Sequence, residues 1–400
     1  MAGRVAPLHS RARKKSSGWA GPVTTISTAA NTTAGGPSKL LGLELIRFTC
    51  AMAVLIWHYH HFAMLGDGSA MQSPHQPLET LLSPFYHFGL YGVQIFWAIS
   101  GFIFYWKYAD ALAERRVEPK RFFWLRFSRL YPLHFVTLLI VAALQPLYVS
   151  LAGQPYVYGD NGVTSFILHL FLADQWAGSH AMSFNGPIWS VSAEVFVYVA
   201  FFMLVRAFGK SPWLIVGAVA AGLTSLWSGA ISPALVCGAY FFAGGAAAQL
   251  LGSKRVREQP KQARAIALGL IAACVVAAPF LDLGGNDGDP LATWLMAITP
   301  PLLFLAAQDW RGLERWQAPI QAAGNLTYST YLIHFPLQLI VAIVAVAGGI
   351  ALPVGEAWFL LAYLAAVIVV GRIVFLRFEA PMQAMIRAAT LAPSGTRAAA

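Results

Sequence analysis

Apolar runs of about 18–23 residues recur along most of this chain, and nothing else in it constrains the fold as strongly. A helix rising 1.5 Å per residue needs about 20 such residues to cross a hydrocarbon core roughly 30 Å thick. About ten runs fit, near residues 42–64, 85–106, 130–151, 189–208, 212–228, 232–251, 265–283, 290–307, 326–348 and 356–376. The expected fold is all-α, a polytopic membrane helical bundle of about ten transmembrane helices. Residues 163–174 (VTSFILHLFLAD) are apolar but too short to span, and suit a re-entrant or interfacial helix. With 58% hydrophobic and only 11% charged residues and a mean hydropathy of +0.60, the chain is excluded from the ordinary soluble class.

Charge then orients the bundle. In a soluble domain the net charge of +10 would suggest nucleic acid, but here its distribution says otherwise. With ten spans and an inner amino terminus, all 27 Lys and Arg fall on the cytoplasmic side or at inner span ends. The outer loops hold none, and carry Asp67, Glu79, Asp160, Asp174, Asp287 and Asp289 instead. This is the positive-inside pattern, and it favours an even number of spans with both termini cytoplasmic. Residues 1–39 lack the apolar stretch of a signal peptide and read as a disordered basic tail. The membrane domain is expected over 40–380, with 381–400 a cytoplasmic tail. Cys50, Cys237 and Cys274 lie in separate apolar stretches, without metal-ligand spacing and without the look of a disulfide framework.

The first run, Gly42 to Met64, carries Arg47 and His58. Ionisable groups in hydrocarbon are costly and mark function. Eleven residues at 100° each place the two on one helix face, about 16 Å apart along the axis. His60 and His61 follow nearer water, as ordinary interfacial residues. Glu194, in NGPIWSVSAEVFVY, lies at about the depth of His58 and is a plausible partner that would orient the imidazole; a dipole-favoured carboxylate near a helix start is the weaker alternative, because Glu194 sits more than one turn into the span. Arg126 and Arg129 are neighbours at the inner end of span three, suited to gripping phosphate or simply to anchoring. His334 precedes Pro336, which weakens its helix and frees backbone groups to line a cavity; a hydrogen bond to a neighbouring span would equally account for it. The outer loop 152–188 offers Tyr156, Tyr158, Trp176 and Phe184, with Trp189 just beyond. An anionic ligand inside and a hydroxylated one outside would suit these two sides. There is no P-loop, dinucleotide fingerprint, HExxH or Gly-x-Ser-x-Gly elbow.

Taken together, these motifs resemble the membrane acyltransferase 3 family, which acylates cell-surface glycans and some lipids and antibiotics. The match runs through Arg47 and His58 at the Arg-x10-His spacing, GVQIFWAISGF at 92–102 and FWLRFSRLYP at 123–132. It continues in WSVSAEVFVY at 189–198, GNLTYSTYLIHFP at 324–336 and FEAP at 378–381. The resemblance implies transfer of an acyl group, usually acetyl, from cytoplasmic acyl-CoA as co-substrate to a hydroxyl of an extracytoplasmic glycan or lipid-linked sugar. The setting would be a bacterial inner membrane, with no permanently bound cofactor, no metal and no nucleic acid. It implies His58 as the catalytic histidine and Glu194 as the carboxylate of the WSxSxE motif. Arg47, Arg126 and Arg129 would serve the acyl donor. Trp189, Ser190, Ser192 and His334 would belong to the substrate cavity, with Ser100, Tyr328 and Tyr331 as candidate oxyanion donors. Two departures stand out. Gln94 replaces an acidic residue common in the family, and Val195 replaces a second Glu. The resemblance is to the family's single-domain form, in which no esterase domain is expected after the last span.

The alternative is a proton-coupled transporter or glycolipid flippase using the same buried groups, although no self-similar halves are visible. A membrane scaffold or sensor is a third. Orientation is testable at once. A reporter fused after Ala400 should be active only in its cytoplasmic form, and periplasmic activity would reverse the assignment.

Overall fold

The computed structural model describes residues 40–65, 76–176, 181–283, 289–310 and 312–391. The expected tail at 1–39 lies outside the described residues, as do 392–400, Asp67 and Asp287. The described chain is helical, with no strand among the described residues. Its helices are α1 (Leu41–Trp57), α2 (Glu79–Phe88), α3 (Gly92–Ala113), α4 (Pro119–Ala152), α5 (Val163–Leu170), α6 (Trp189–Phe208) and α7 (Pro212–Trp227). They continue as α8 (Pro233–Leu251), α9 (Lys254–Glu258), α10 (Pro260–Ala277), α11 (Asp289–Ala306), α12 (Gln317–Gly348), α13 (Ala357–Val374) and α14 (Ala380–Leu391).

Among the described residues, eight helical stretches are long and apolar enough to cross a membrane, and the shorter apolar α7 and Pro290–Ala306 bring the set to the expected ten. The apolar segment 163–174 does form a short helix, α5. Two expected connections are more ordered than loops. The basic segment 107–129 is mostly helix, because α3 continues to Ala113 and α4 begins at Pro119, where proline fits a first turn that needs no donor. Residues 381–391 are α14 rather than a tail, tied to α4 where Arg387 Nε donates to Ser128 Oγ at 3.2 Å.

Burial divides the bundle. In α8, 67% of the apolar window is buried, whereas in the stretch containing α10 only 6% is. The core sits where α8 crosses α3, packed with Phe104, Phe201, Phe241 and Tyr198. The two backbones approach closely because Gly101 lies against the Phe241 carbonyl and Gly244 against the Ala98 carbonyl. Small residues at such crossings replace the hydrophobic drive that lipid cannot supply. Alanine at Gly101 or Gly244 should therefore cost about 1–3 kcal/mol or more through overpacking. Gly269→Ala, whose added carbon meets open space, should cost nothing. Thermal unfolding in detergent compares them, and equal midpoints would refute the crossing as a stability determinant.

Candidate active site

A cavity of about 350 Å³ opens among α1, α3, α4, α6, α12 and α14. It follows α3 from Val93 to Lys107, about 21 Å of helix rise. Its lining carries five cations, Arg47, Lys107, Arg126, Arg129 and Arg387, against two carboxylates, Glu44 and Glu194. Arg47 is held by Glu44 at 3.0 Å and donates to Thr327 Oγ1 at 3.0 Å, which ties α1 to α12. Arg129 pairs at 2.7 Å with Glu379, which is 3% exposed and also accepts from the Ser329 hydroxyl. Glu379 sits in a π-helical turn, Phe375–Glu379, between α13 and α14. Such turns are rare and recur at functional sites.

The other three cations have no ion pair among the described residues. Arg126 donates to Tyr108 Oη at 2.9 Å, lies 4.7 Å from the Phe104 ring centroid, and leaves its Nε buried without a partner. A half-buried guanidinium with an unspent donor is poised for an anion. Glu194 opens into the same cavity, with the Ser100 and Tyr198 hydroxyls turned to its carboxylate and Arg126 and Arg47 nearby.

The histidines form a second group. At His58 α1 gives way to a 3-10 helix, His58–Met64, whose three-residue repeat brings i and i+3 onto one face. His58 and His61 accordingly meet edge to face at 5.0 Å, and His58 meets His334 of α12 at 4.7 Å. Their protons can be assigned from their partners, because a carbonyl only accepts. His58 Nδ1–H donates to Val54 O at 2.8 Å and His334 Nδ1–H to Tyr331 O at 2.6 Å. Gln338 Nε2 donates to His58 O at 2.8 Å, which turns its Oε1 toward His61 Nδ1 at 3.0 Å. Each of these three imidazoles thus keeps a bare Nε2 lone pair, the form a general base requires. Tyr331 joins the groups: it lines the cavity, and its ring is 5.9 Å from His334.

The acyltransferase domain of the acyltransferase 3 family matches residues 40–375. The chain belongs to that family. Over 191 residues it is 29% identical to the acyltransferase MdmB of Streptomyces mycarofaciens, a stretch covering 46% of this chain and 45% of the relative. The chain therefore aligns with less than half of that relative's length. No solved structure matches.

In this member of the family the residues singled out in the sequence divide between the two groups. Arg47, Arg126, Arg129, Ser100, Ser190, Glu194, Tyr328 and Tyr331 line the cavity. Arg47 and His58 do share a face, since both contact α12. The expected pairing of Glu194 with His58 is not found: Glu194 belongs to the α3 side of the cavity, whereas His58 lies against α12. Equal depth left the position around the bundle undetermined. Trp189 packs edge-on to Trp97 at 5.6 Å, outside the cavity lining. Ser192 is buried and accepts from Gln175 N at 3.1 Å, fastening the outer connection rather than facing substrate.

The candidate oxyanion donors also change. Tyr328 and Tyr331 donate their single hydroxyl protons to Leu130 O at 2.5 Å and Pro187 O at 2.9 Å, so neither is free to stabilise an oxyanion. His61, expected near water, is only 2% exposed. Gln338 was absent from the sequence expectations. Its only signal was an amide in the middle of an apolar helix. Gln338→Leu would strip partners from His58 O and His61, a loss of about 1–3 kcal/mol for each buried group. Turnover should fall about ten-fold with donor binding retained, as single-turnover kinetics beside a donor-binding assay would show. Unchanged turnover would make Gln338 a packing residue alone.

Proposed function

We propose that this protein is an integral membrane O-acyltransferase. It moves an acyl group, acetyl in the usual case, from acyl-CoA on the side bearing the cations to a hydroxyl of an extracytoplasmic glycan or glycolipid. The observation that carries this reading is a cavity with three cations toward one end that have no ion pair among the described residues, and with Tyr331 at the other, the base-competent histidine group lying behind Tyr331 and outside the cavity lining. Family membership supports acyl transfer itself. The chemistry of the two ends supports this choice of donor and acceptor. The CoA phosphates would lie against Lys107, Arg126 and Arg387, with the thioester directed along α3 toward Tyr331.

His58 Nε2 takes the proton of the acceptor hydroxyl as its oxygen attacks the thioester carbonyl. Collapse of the tetrahedral adduct breaks the C–S bond, and the departing thiolate recovers the proton from His58 Nε2. Transfer through an acyl-His58 intermediate uses the same nitrogen. Glu194 balances Arg47 and Arg126 in this scheme. In the cell the protein would reside in a bacterial inner membrane with both termini cytoplasmic.

Purified variants test both halves. His58→Ala should lower transfer by 10²–10⁴-fold or more while acyl-CoA still binds, since general base catalysis is typically worth that much. His60→Ala should retain most activity. Arg126→Gln should weaken acyl-CoA binding about ten-fold or more, the worth of a hydrogen bond to a charged group. Arg129→Gln is a poorer probe, because it also strands the buried Glu379 carboxylate. Unchanged donor affinity in Arg126→Gln would remove the phosphate assignment, and near-normal turnover in His58→Ala would remove the base.

A further inference from the structure

A second cleft, sharing no lining residue with the first cavity, lies between the ends of α8 and α9, the start of α10, and α11. Its volume is about 310 Å³. Its walls are Leu250, Ala263, Ile266, Leu270 and Phe304, with Pro300 and Pro301 beside Phe304 on α11. Leu250, Ile266 and Leu270 are more than half exposed. The polar groups are gathered at one end, where Arg255 lines the mouth with Gln259 and Gln262. From Gln259 to Leu270 the cleft follows α10 for about 16 Å, close to half of a hydrocarbon core roughly 30 Å thick.

Charge narrows the choice of occupant. Lys254, Arg255, Arg257, Lys261 and Arg264 crowd the α9–α10 segment, opposed there by Glu258 alone. Lys254 is paired with Glu258 at 3.6 Å, and Arg264 is bonded to Gln308 at 2.7 Å. Arg255, Arg257 and Lys261 have no ion pair among the described residues. A basic mouth above an apolar trough one leaflet deep matches a ligand with a phosphate at one end and a hydrocarbon chain behind it.

We infer that this cleft is a binding site for one anionic glycerophospholipid of the surrounding leaflet, its phosphate against Arg255 and one acyl chain along α10. The inference does not depend on the acyl-transfer reading. The test is native mass spectrometry of the purified full-length protein titrated with dioleoyl phosphatidylglycerol or dioleoyl phosphatidylcholine. Phosphatidylglycerol should be retained in preference to phosphatidylcholine. Arg255→Gln should weaken that retention about five-fold, the worth of one basic side chain facing an anionic headgroup. Ala263→Trp, which fills the trough, should abolish it, and Arg116→Gln, an exposed cation between α3 and α4, should leave it unchanged. Arg255 is exposed, so its variant keeps the test decisive should Ala263→Trp fail to fold. Equal retention of the two lipids, or phosphatidylglycerol retention as strong in Arg255→Gln as in Arg116→Gln, would overturn the site.

Discussion

Between Thr327 and Gln338, α12 sends a polar contact to another part of the bundle at nearly every turn. Thr327 meets Arg47 of α1, Tyr328 the Leu130 carbonyl of α4, and Ser329 the Glu379 carboxylate of the π turn. Tyr331 reaches Pro187 and Ser190, while Gln338 takes the His58 carbonyl. In hydrocarbon none of these groups has water to fall back on, so each contact is nearly obligatory. The cavity and the histidine group are both built against this one helix. Its polar face fixes where α1, α4 and α6 stand around it, and the glycine crossing of α3 and α8 closes the far side.

The fold was largely legible because its signals are one-dimensional. Apolar run length gives a span, so the stretches around 42–64, 189–208 and 232–251 recur as helices within a few residues of their expected bounds. Charge side by side with those runs gave less. The basic segment from Lys107 to Arg129 fell between two expected spans, yet most of it continues α3 and α4 into polar territory, since Lys and Arg are good helix formers. The same holds for 381–391, whose mixed composition concealed a helix packed on α4.

The site was legible as a set of residues and not as a set of partners. Helical phase correctly put Arg47 and His58 on one face, because both belong to a single span. Depth put Glu194 level with His58 but said nothing of the angle around the bundle, and the carboxylate joins the Arg126 side instead. The 3-10 turn that buries His61 beside His58 depends on tertiary contacts with Gln338. No local pattern in HYHHFAM announces it.

The way the imidazoles are anchored bears on the integrity of the membrane itself. A ring passes a proton onward when one nitrogen receives it and the other releases it. In His58, His60 and His334 the Nδ1 proton is committed to a backbone carbonyl, and in His61 to an amide oxygen. Each ring is a dead end, able to accept and return a proton only through Nε2. Four histidines grouped near one end of a transmembrane bundle would otherwise form a ready wire for dissipating the proton gradient. Pinned in this way, the rings would exchange protons only through Nε2 and would not relay them from one to the next.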